Sequence, residues 1–451
     1  MPLPPGPRWP RPVQTLAFAM RPLAFTRWCL ARYGGPFTLR LGRDQDLVFV
    51  AEPEHVRVVL SGQDRRLRLD RYVRILEPIV GPRSLQLIEG SKHTHHRRIL
   101  MAPFRRAKIL EYSQDIAEIA ARHVARWPAG RPMSTYDAFE RISLEVILRI
   151  LFGLRDPEEV AEARDKNEAV AGVHALLLMF PELQRDLGRW SPWGRFLRAR
   201  DRLDALLYGH IAQRRAAVTA GEDPADVLGQ LILAEDEDGP LSDEDLRDEL
   251  VTLIGTGHDT TAAGLTWTLG WLIRTPAVHE RLMAELDALG PEPSLEALEG
   301  APFLDAVVKE AMRISPVLPG ITREVAEPLE LGGWTLPVGT QLVAASNLSH
   351  HLPQHFADPG AFEPTRFLEG KPPRDVFYPF GGGPRMCFAW AFGVSELKLV
   401  LSRVLAAYTF TAPGSNWPRA RWRHITVVPA DGGLLIPTAR RARYVAHHAS
   451  A

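Results

Sequence analysis

The chain has 451 residues, 45% of them hydrophobic, enough for a sizeable core. Lys and Arg total 54, as do Asp and Glu, so the formal net charge is zero and nothing global draws the chain to nucleic acid or to an acidic membrane. Its two cysteines, Cys29 and Cys387, argue against a disulfide framework and suit a reducing compartment.

Residues 1–34 read as a Pro-rich start, with Arg8 and Arg11, followed by a first helix. The apolar stretch at residues 15–20 is far short of the ~20 residues that a membrane span needs. No small-residue cleavage site marks a signal peptide. The expectation is a cytoplasmic chain with no membrane span. Residues 37–41 alternate apolar and polar, a turn follows at Gly42, Arg43, Asp44 and Gln45, and residues 47–50 are apolar, which predicts a hairpin. Most of residues 53–289 reads as helical, with loops at residues 127–132 and 190–194.

The longest predicted helix covers residues 243–274. Ser242 is its N-cap, with Asp245 three residues on in a variant of the capping box, and Pro276 stops it. Its length of ~48 Å at 1.5 Å per residue would cross a whole domain. After Thr335 the chain turns to strands and loops. A last helix starts just after Cys387 and runs to about Tyr408, and Gly432-Gly433 reads as a hairpin turn. No linker separates independent parts, so residues 1–451 are expected to form a single domain, mainly α with small β-sheets.

The residues that carry chemistry begin with Phe380-Gly381-Gly382-Gly383-Pro384-Arg385-Met386-Cys387-Phe388-Ala389. Glycines allow turns closed to other residues and close approach to a flat ligand. Arg385 puts a cation two residues before the thiol. Cys387 stands at the mouth of a helix, where free N–H groups and the dipole favour a thiolate. Such a thiolate is a metal ligand or a nucleophile; the plainer alternative is a buried structural cysteine.

This segment resembles the heme-ligand loop of the cytochrome P-450 family: Phe, a Gly-rich turn, Arg, then Cys. Ala389 departs from it, where the family most often has Gly. The resemblance implies a cytochrome P-450 fold, with heme b (iron protoporphyrin IX) between a long central helix and the Cys-containing loop. Cys387 would be the axial ligand of the iron, with Phe380, Gly381 and Arg385 beside the cofactor.

Four further segments extend the likeness over nearly the whole chain. Glu310 and Arg313, one turn apart on a helix face, look like the family's Glu-x-x-Arg, with Arg366 as the implied third member of a buried network bracing the heme loop. Alone, such a pair reads as a surface ion pair worth under ~1 kcal/mol; buried, loss of one partner strands a charge. Thr256-Gly257-His258-Asp259-Thr260-Thr261 lies mid-helix, where Gly255 and Gly257 each cost about 1 kcal/mol. The family places this segment over the heme, with Thr260 holding the distal oxygen and Asp259 feeding protons. Thr256 stands where the family usually has Ala or Gly. A packed polar patch is the alternative reading, and His258 reads as a satisfied helix-face residue. His93 and Arg97, four residues apart on one helix face, fall where relatives bind the heme propionates, which suit Arg through paired donors. A solvated basic face is the alternative. Arg323 would reach a propionate too.

The resemblance implies a monooxygenase that inserts one oxygen atom from O2 into a small lipophilic molecule, by hydroxylation or epoxidation. Thiolate ligation suits that chemistry by pushing electron density onto the iron. No flavin or NAD fingerprint is evident, so electrons would come from a ferredoxin or flavodoxin with its NAD(P)H-dependent reductase. Arg97, Arg98, Arg105, Arg106 and Lys108 form a candidate docking stretch for an acidic partner. Pocket walls are expected from residues 67–90, 176–183 and 317–321 and from the long helix around Ile254. A heme-thiolate peroxygenase or isomerase, and a non-catalytic heme sensor, are the rival functions.

Overall fold

The computed structural model describes residues 2–42, 44–61, 66–173, 177–178, 180–222, 224–414 and 419–440. Its helices include α1 (Arg11–Met20), α2 (Pro22–Tyr33), α3 (Pro53–Ser61), α4 (Gly90–Met101), α5 (Pro192–Thr219), α6 (Asp243–Arg274), α7 (Pro302–Ile314) and α8 (Trp390–Ala407). The chain divides into two compact units, one of residues 1–70, 116–140 and 260–451, the other of residues 71–115 and 141–259.

The first unit holds a five-stranded mixed sheet of β1 (Phe37–Leu41), β2 (Gln45–Val50), β3 (Leu67–Arg68), β4 (Ile321–Val325) and β5 (Gln341–Ala344), in the order β1-β2-β5-β4-β3. The expected hairpin is β1 with β2, antiparallel, Phe37 opposite Phe49; Arg43 of its turn lies outside the described residues. β5 pairs parallel to β2 and antiparallel to β4. Side chains alternate faces along a strand. Val48 and Val50 therefore pack with Val56 and Leu60 of α3, while Phe37, Leu39 and Phe49 pack with Phe25 and Cys29 of α2.

The second unit is helical, with α4, α5 and the first half of α6. Residues 190–194, expected as a loop, instead begin α5 at Pro192: the Ser191 hydroxyl accepts from the Gly194 N–H at 3.1 Å, and proline at the first helical position loses no bond.

Helix α6 has the expected limits. The Ser242 hydroxyl accepts from the Asp245 N–H at 3.1 Å, and the Asp245 carboxylate accepts from the Ser242 N–H at 3.1 Å, a reciprocal cap. Asp243, Glu244 and Asp245 in its first turn and Arg274 in its last suit the helix dipole. At the far end of the chain, Gly432-Gly433 is not a hairpin turn. It joins Thr426–Pro429, paired with Ala420–Arg423, to Leu434–Arg440, paired with Tyr408–Thr411 and Met133–Ser134. Both glycines have positive φ, and a Cβ on Gly433 would stand 2.4 Å from Thr266.

Candidate functional site

In the first unit, one loop carries Phe380, Gly381, Arg385 and Cys387. The Cys387 N–H donates back to the Phe380 carbonyl at 2.9 Å, and the Gly381 N–H to the Tyr378 carbonyl at 2.9 Å. Gly381 and Gly383 have φ of +76° and +64°. A Cβ on Gly382 would stand 3.0 Å from Leu60, and one on Gly383 would stand 1.9 Å from the Leu60 carbonyl oxygen. The glycines thus let the loop lie directly against α3. Cys387 is exposed, three residues before α8. The other thiol, Cys29, is fully buried, and burial pushes it up to about 12, which keeps it protonated. Of the two sulfurs, only Cys387 is presented to a ligand.

Glu310, Arg313 and Arg366 come together. Arg313 donates to both Glu310 oxygens, at 2.6 and 2.7 Å, and Arg366 Nε donates to Glu310 Oε1 at 3.2 Å. Glu310 and Arg313 are fully buried. Arg313 also donates to the carbonyls of His350 and Pro359, both at 2.9 Å, and of Ala361 at 3.1 Å. Every guanidinium nitrogen is therefore satisfied, as a buried charge requires. The network also extends to a residue that no sequence pattern singled out. His350 Nε2 accepts from the Tyr378 N–H at 3.1 Å, which links the network to the glycine loop. Burial and the nearby Arg313 push the His350 imidazole down to about 3, so it is the neutral acceptor that this bond needs. Arg323, on β4, is buried and donates to the Thr322 carbonyl at 2.8 Å.

Helix α6 is buried at every residue from 246 to 270 except Gly255, Thr256, Gly257 and Thr260. Thr256 and Thr260, one turn apart, share a face at mid-helix, and with Gly255 and Gly257 on either side they form an uncovered window. The Thr256 hydroxyl donates to the Thr252 carbonyl at 2.7 Å, the back-bonding that bends helices. Asp259 is buried, as is His258, whose Nδ1 lies 2.6 Å from the Ile254 carbonyl. His258 is the satisfied helix-face residue that the sequence suggested.

In the second unit, α4 carries His93, buried, and Arg97, half-buried. Its His96 was not singled out by sequence. His96 Nδ1 lies 2.7 Å from Oε1 of Glu249 on α6, and both side chains are buried. Burial pushes Glu249 up to about 7 against the pull of His96. The basic stretch is partly offset: Arg98 pairs with Asp236 at 2.5 Å and Lys108 with Glu111 at 2.8 Å, while Arg105 and Arg106 are exposed. Leu176 and Met179, in one expected pocket wall, lie outside the described residues.

An exposed thiol on a glycine-turned loop and a buried ion-pair network tied to that loop suit a thiolate-ligated macrocycle. The comparisons agree. The cytochrome P450 family model matches residues 3–435, and the chain belongs to that family. Two Mycobacterium tuberculosis chains that are cytochrome P450s by name, 135A1 and 135B1, are each 34% identical to it. The first match covers 97% of this chain and 96% of that one, the second 98% and 92%. Among solved structures, the retinoic acid-bound cyanobacterial CYP120A1 has a TM-score of 0.82 at 24% identity, covering 98% of this chain and 100% of that one. The cytochrome P450DA heme domain has a TM-score of 0.86 at 22% identity, covering 98% and 99%. The expected mainly α fold with small sheets is thus the cytochrome P450 fold. Heme, iron protoporphyrin IX, is the cofactor of the family, and the chain is a cytochrome P450 monooxygenase by class. No helix among the described residues is long and apolar enough to cross a membrane.

Proposed function

We propose that the Cys387 thiolate would hold the heme iron, and that the enzyme hydroxylates or epoxidises a small lipophilic substrate. The observation that carries this reading is the exposed Cys387 thiol on a loop whose N–H groups turn inward to the Tyr378 and Phe380 carbonyls. Bound heme supplies the activation of O2, with one oxygen atom entering a C–H or C=C bond and the other leaving as water.

The chain's own residues hold, orient and protonate. Phe380, Gly381 and Arg385 shape the loop beside the cofactor. His93, Arg97 and Arg323 offer hydrogen-bond donors and positive charge for the propionates. Thr260, in the uncovered window of α6, would donate a hydrogen bond to O2 in the site, and its neighbour Asp259 would move protons inward. The Glu310–Arg313–Arg366 network keeps the loop in place. Residues 1–451 act as one catalytic domain, a reading supported by a family match that runs through both units. Electrons come from a ferredoxin or flavodoxin with its NAD(P)H-dependent reductase, docked at Arg105 and Arg106, and the enzyme works in the cytoplasm.

Turnover of lipophilic candidates, first selected by the shift they cause in heme spin state, tests this reading. Product should require NADPH and surrogate redox partners and should carry oxygen from labelled O2. Product formed with hydrogen peroxide alone would favour a peroxygenase. Absence of product from ligands that shift the spin state would favour a sensor.

A further inference from the structure

The first unit contains a hollow of about 370 Å³ that neither the heme loop nor the α6 window uses. It lies where α2, the end of α6, the end of α7 and the strand Ala420–Arg423 meet. Three arginines line it: Arg21, Arg27 and Arg419. Among the described residues, no carboxylate lines it and no acid forms an ion pair with any of the three.

Several other arginines of the chain are matched to acids. Arg149 meets Asp115, Arg247 meets Asp204 and Asp248, and Arg423 meets Asp137 and Glu140. In the hollow, Arg27 Nη2 instead donates to Nε2 of His351 at 2.7 Å. That imidazole is held neutral: burial, then Arg27, Arg313 and His350, push it down to about 2. Burial, and then Arg313, also lower Arg27 itself. All three arginines keep solvent-exposed surface, so a bound anion would meet their charge at the mouth of the hollow.

Beside the arginines, His351 and Ser315, the lining holds Leu23, Ile314 and the rings of Trp267 and Trp271. Trp271 is stacked on Phe362, centroids 5.5 Å apart and planes at 14°, and its indole nitrogen donates to the Ser315 hydroxyl at 2.9 Å. Trp267 is tied to the Val427 carbonyl at 2.8 Å. Both rings are fixed, so they form a preorganised wall for an aromatic or alicyclic body.

We propose that this hollow binds an organic anion, a carboxylate or sulfonate carried on a flat apolar body, with the acid group among Arg21, Arg27 and Arg419 and the body against Trp267 and Trp271. Arginine suits such a group through paired N–H donors. The site is independent of the cofactor and of the catalytic reading above.

Calorimetric titration of the holoenzyme with 2-naphthalenesulfonate tests it, with heme absorption followed in parallel. One binding event should leave the heme spectrum unchanged and weaken as salt rises. The Arg27→Gln/Arg419→Gln variant should bind at least tenfold more weakly, and neutral 2-naphthol should bind wild type at least tenfold more weakly than the sulfonate. If the loss of the His351 contact lowers the melting temperature of that variant, Arg21→Gln/Arg419→Gln, which keeps the contact, should show the same loss of affinity. Absent binding, equal affinity in the variants, or binding seen only together with a change in the heme spectrum would overturn the proposal.

Discussion

The backbone N–H of Tyr378 donates to the ring of His350 at 3.1 Å, while the His350 carbonyl accepts from Arg313 at 2.9 Å. One buried histidine thus joins the Glu310–Arg313 pair to the chain leading into the Cys387 loop. Removing the ring should leave the Tyr378 N–H buried without its partner, at a cost of about 1–3 kcal/mol. The ring also carries a pH signature. Its pKa is about 3 in the folded chain against 6.5 ordinarily, so the stability it contributes is full above 6.5 and is lost as pH falls towards 3. Denaturant midpoints of His350→Gln should therefore fall less steeply than wild type across this window. Parallel acid limbs would mean the ring titrates normally.

Gly383 tests how the loop is laid down. Alanine there would combine a φ of +64° with a Cβ 1.9 Å from the Leu60 carbonyl oxygen. Strain of about 1–2 kcal/mol from the backbone alone, with the clash added, should displace the loop. Purified Gly383→Ala should hold much less heme than wild type. Gly393→Ala, whose Cβ meets nothing within 4 Å, is the control and should retain full occupancy. Equal heme content in the two variants would show that the close approach does not matter.

The His96–Glu249 contact gives a pH effect of opposite sign. Burial lifts Glu249 from 4.5 to about 7. A carboxyl raised on folding favours the folded chain below 4.5, and that stability is lost as pH rises through 7. Glu249→Gln keeps an acceptor for His96 and removes the titration, so its stability should decline less than wild type between these values. The comparison is best made on urea midpoints in a series of buffers. An unchanged slope would place the Glu249 pKa near its ordinary value.

How much of the fold and site was legible in the sequence depended on chain distance. Ser242 and Asp245 are three residues apart, and their mutual cap, the 32-residue helix and its end before Pro276 were all readable. The Cys387 loop is likewise one continuous string. Glu310 and Arg313 share a helical turn, but Arg366 could be joined to them only by resemblance. His350 with Tyr378, and His96 with Glu249, are 28 and 153 residues apart, and no local pattern announces either contact. Two local misreadings had local causes. Pro192-Trp193-Gly194 reads as a loop until Ser191 is recognised as a cap. Gly432-Gly433 signals a turn correctly but not which strands pair around it.

Thr260 and Asp259 should separate oxygen handling from heme binding. Thr260→Ala removes a hydroxyl in the α6 window. NADPH consumption should continue while hydroxylated product falls and hydrogen peroxide accumulates. Asp259→Asn should slow oxygen use itself, by the roughly 10²–10⁴-fold typical of one positioned proton-transfer group. Wild-type product per NADPH in Thr260→Ala would shift the role to another donor, with Thr256 the next candidate one turn away.

The most direct test of the central claim is the absorption spectrum of the reduced carbon monoxide complex in wild type and in Cys387→Ala. If the Cys387 thiolate holds the iron, wild type should show the strongly red-shifted Soret band of thiolate-ligated heme, and the variant should lack it even in molecules that retain heme. The same red-shifted band in Cys387→Ala would contradict the assignment, because Cys29, buried and with its thiol pushed up to about 12, is not presented as a ligand.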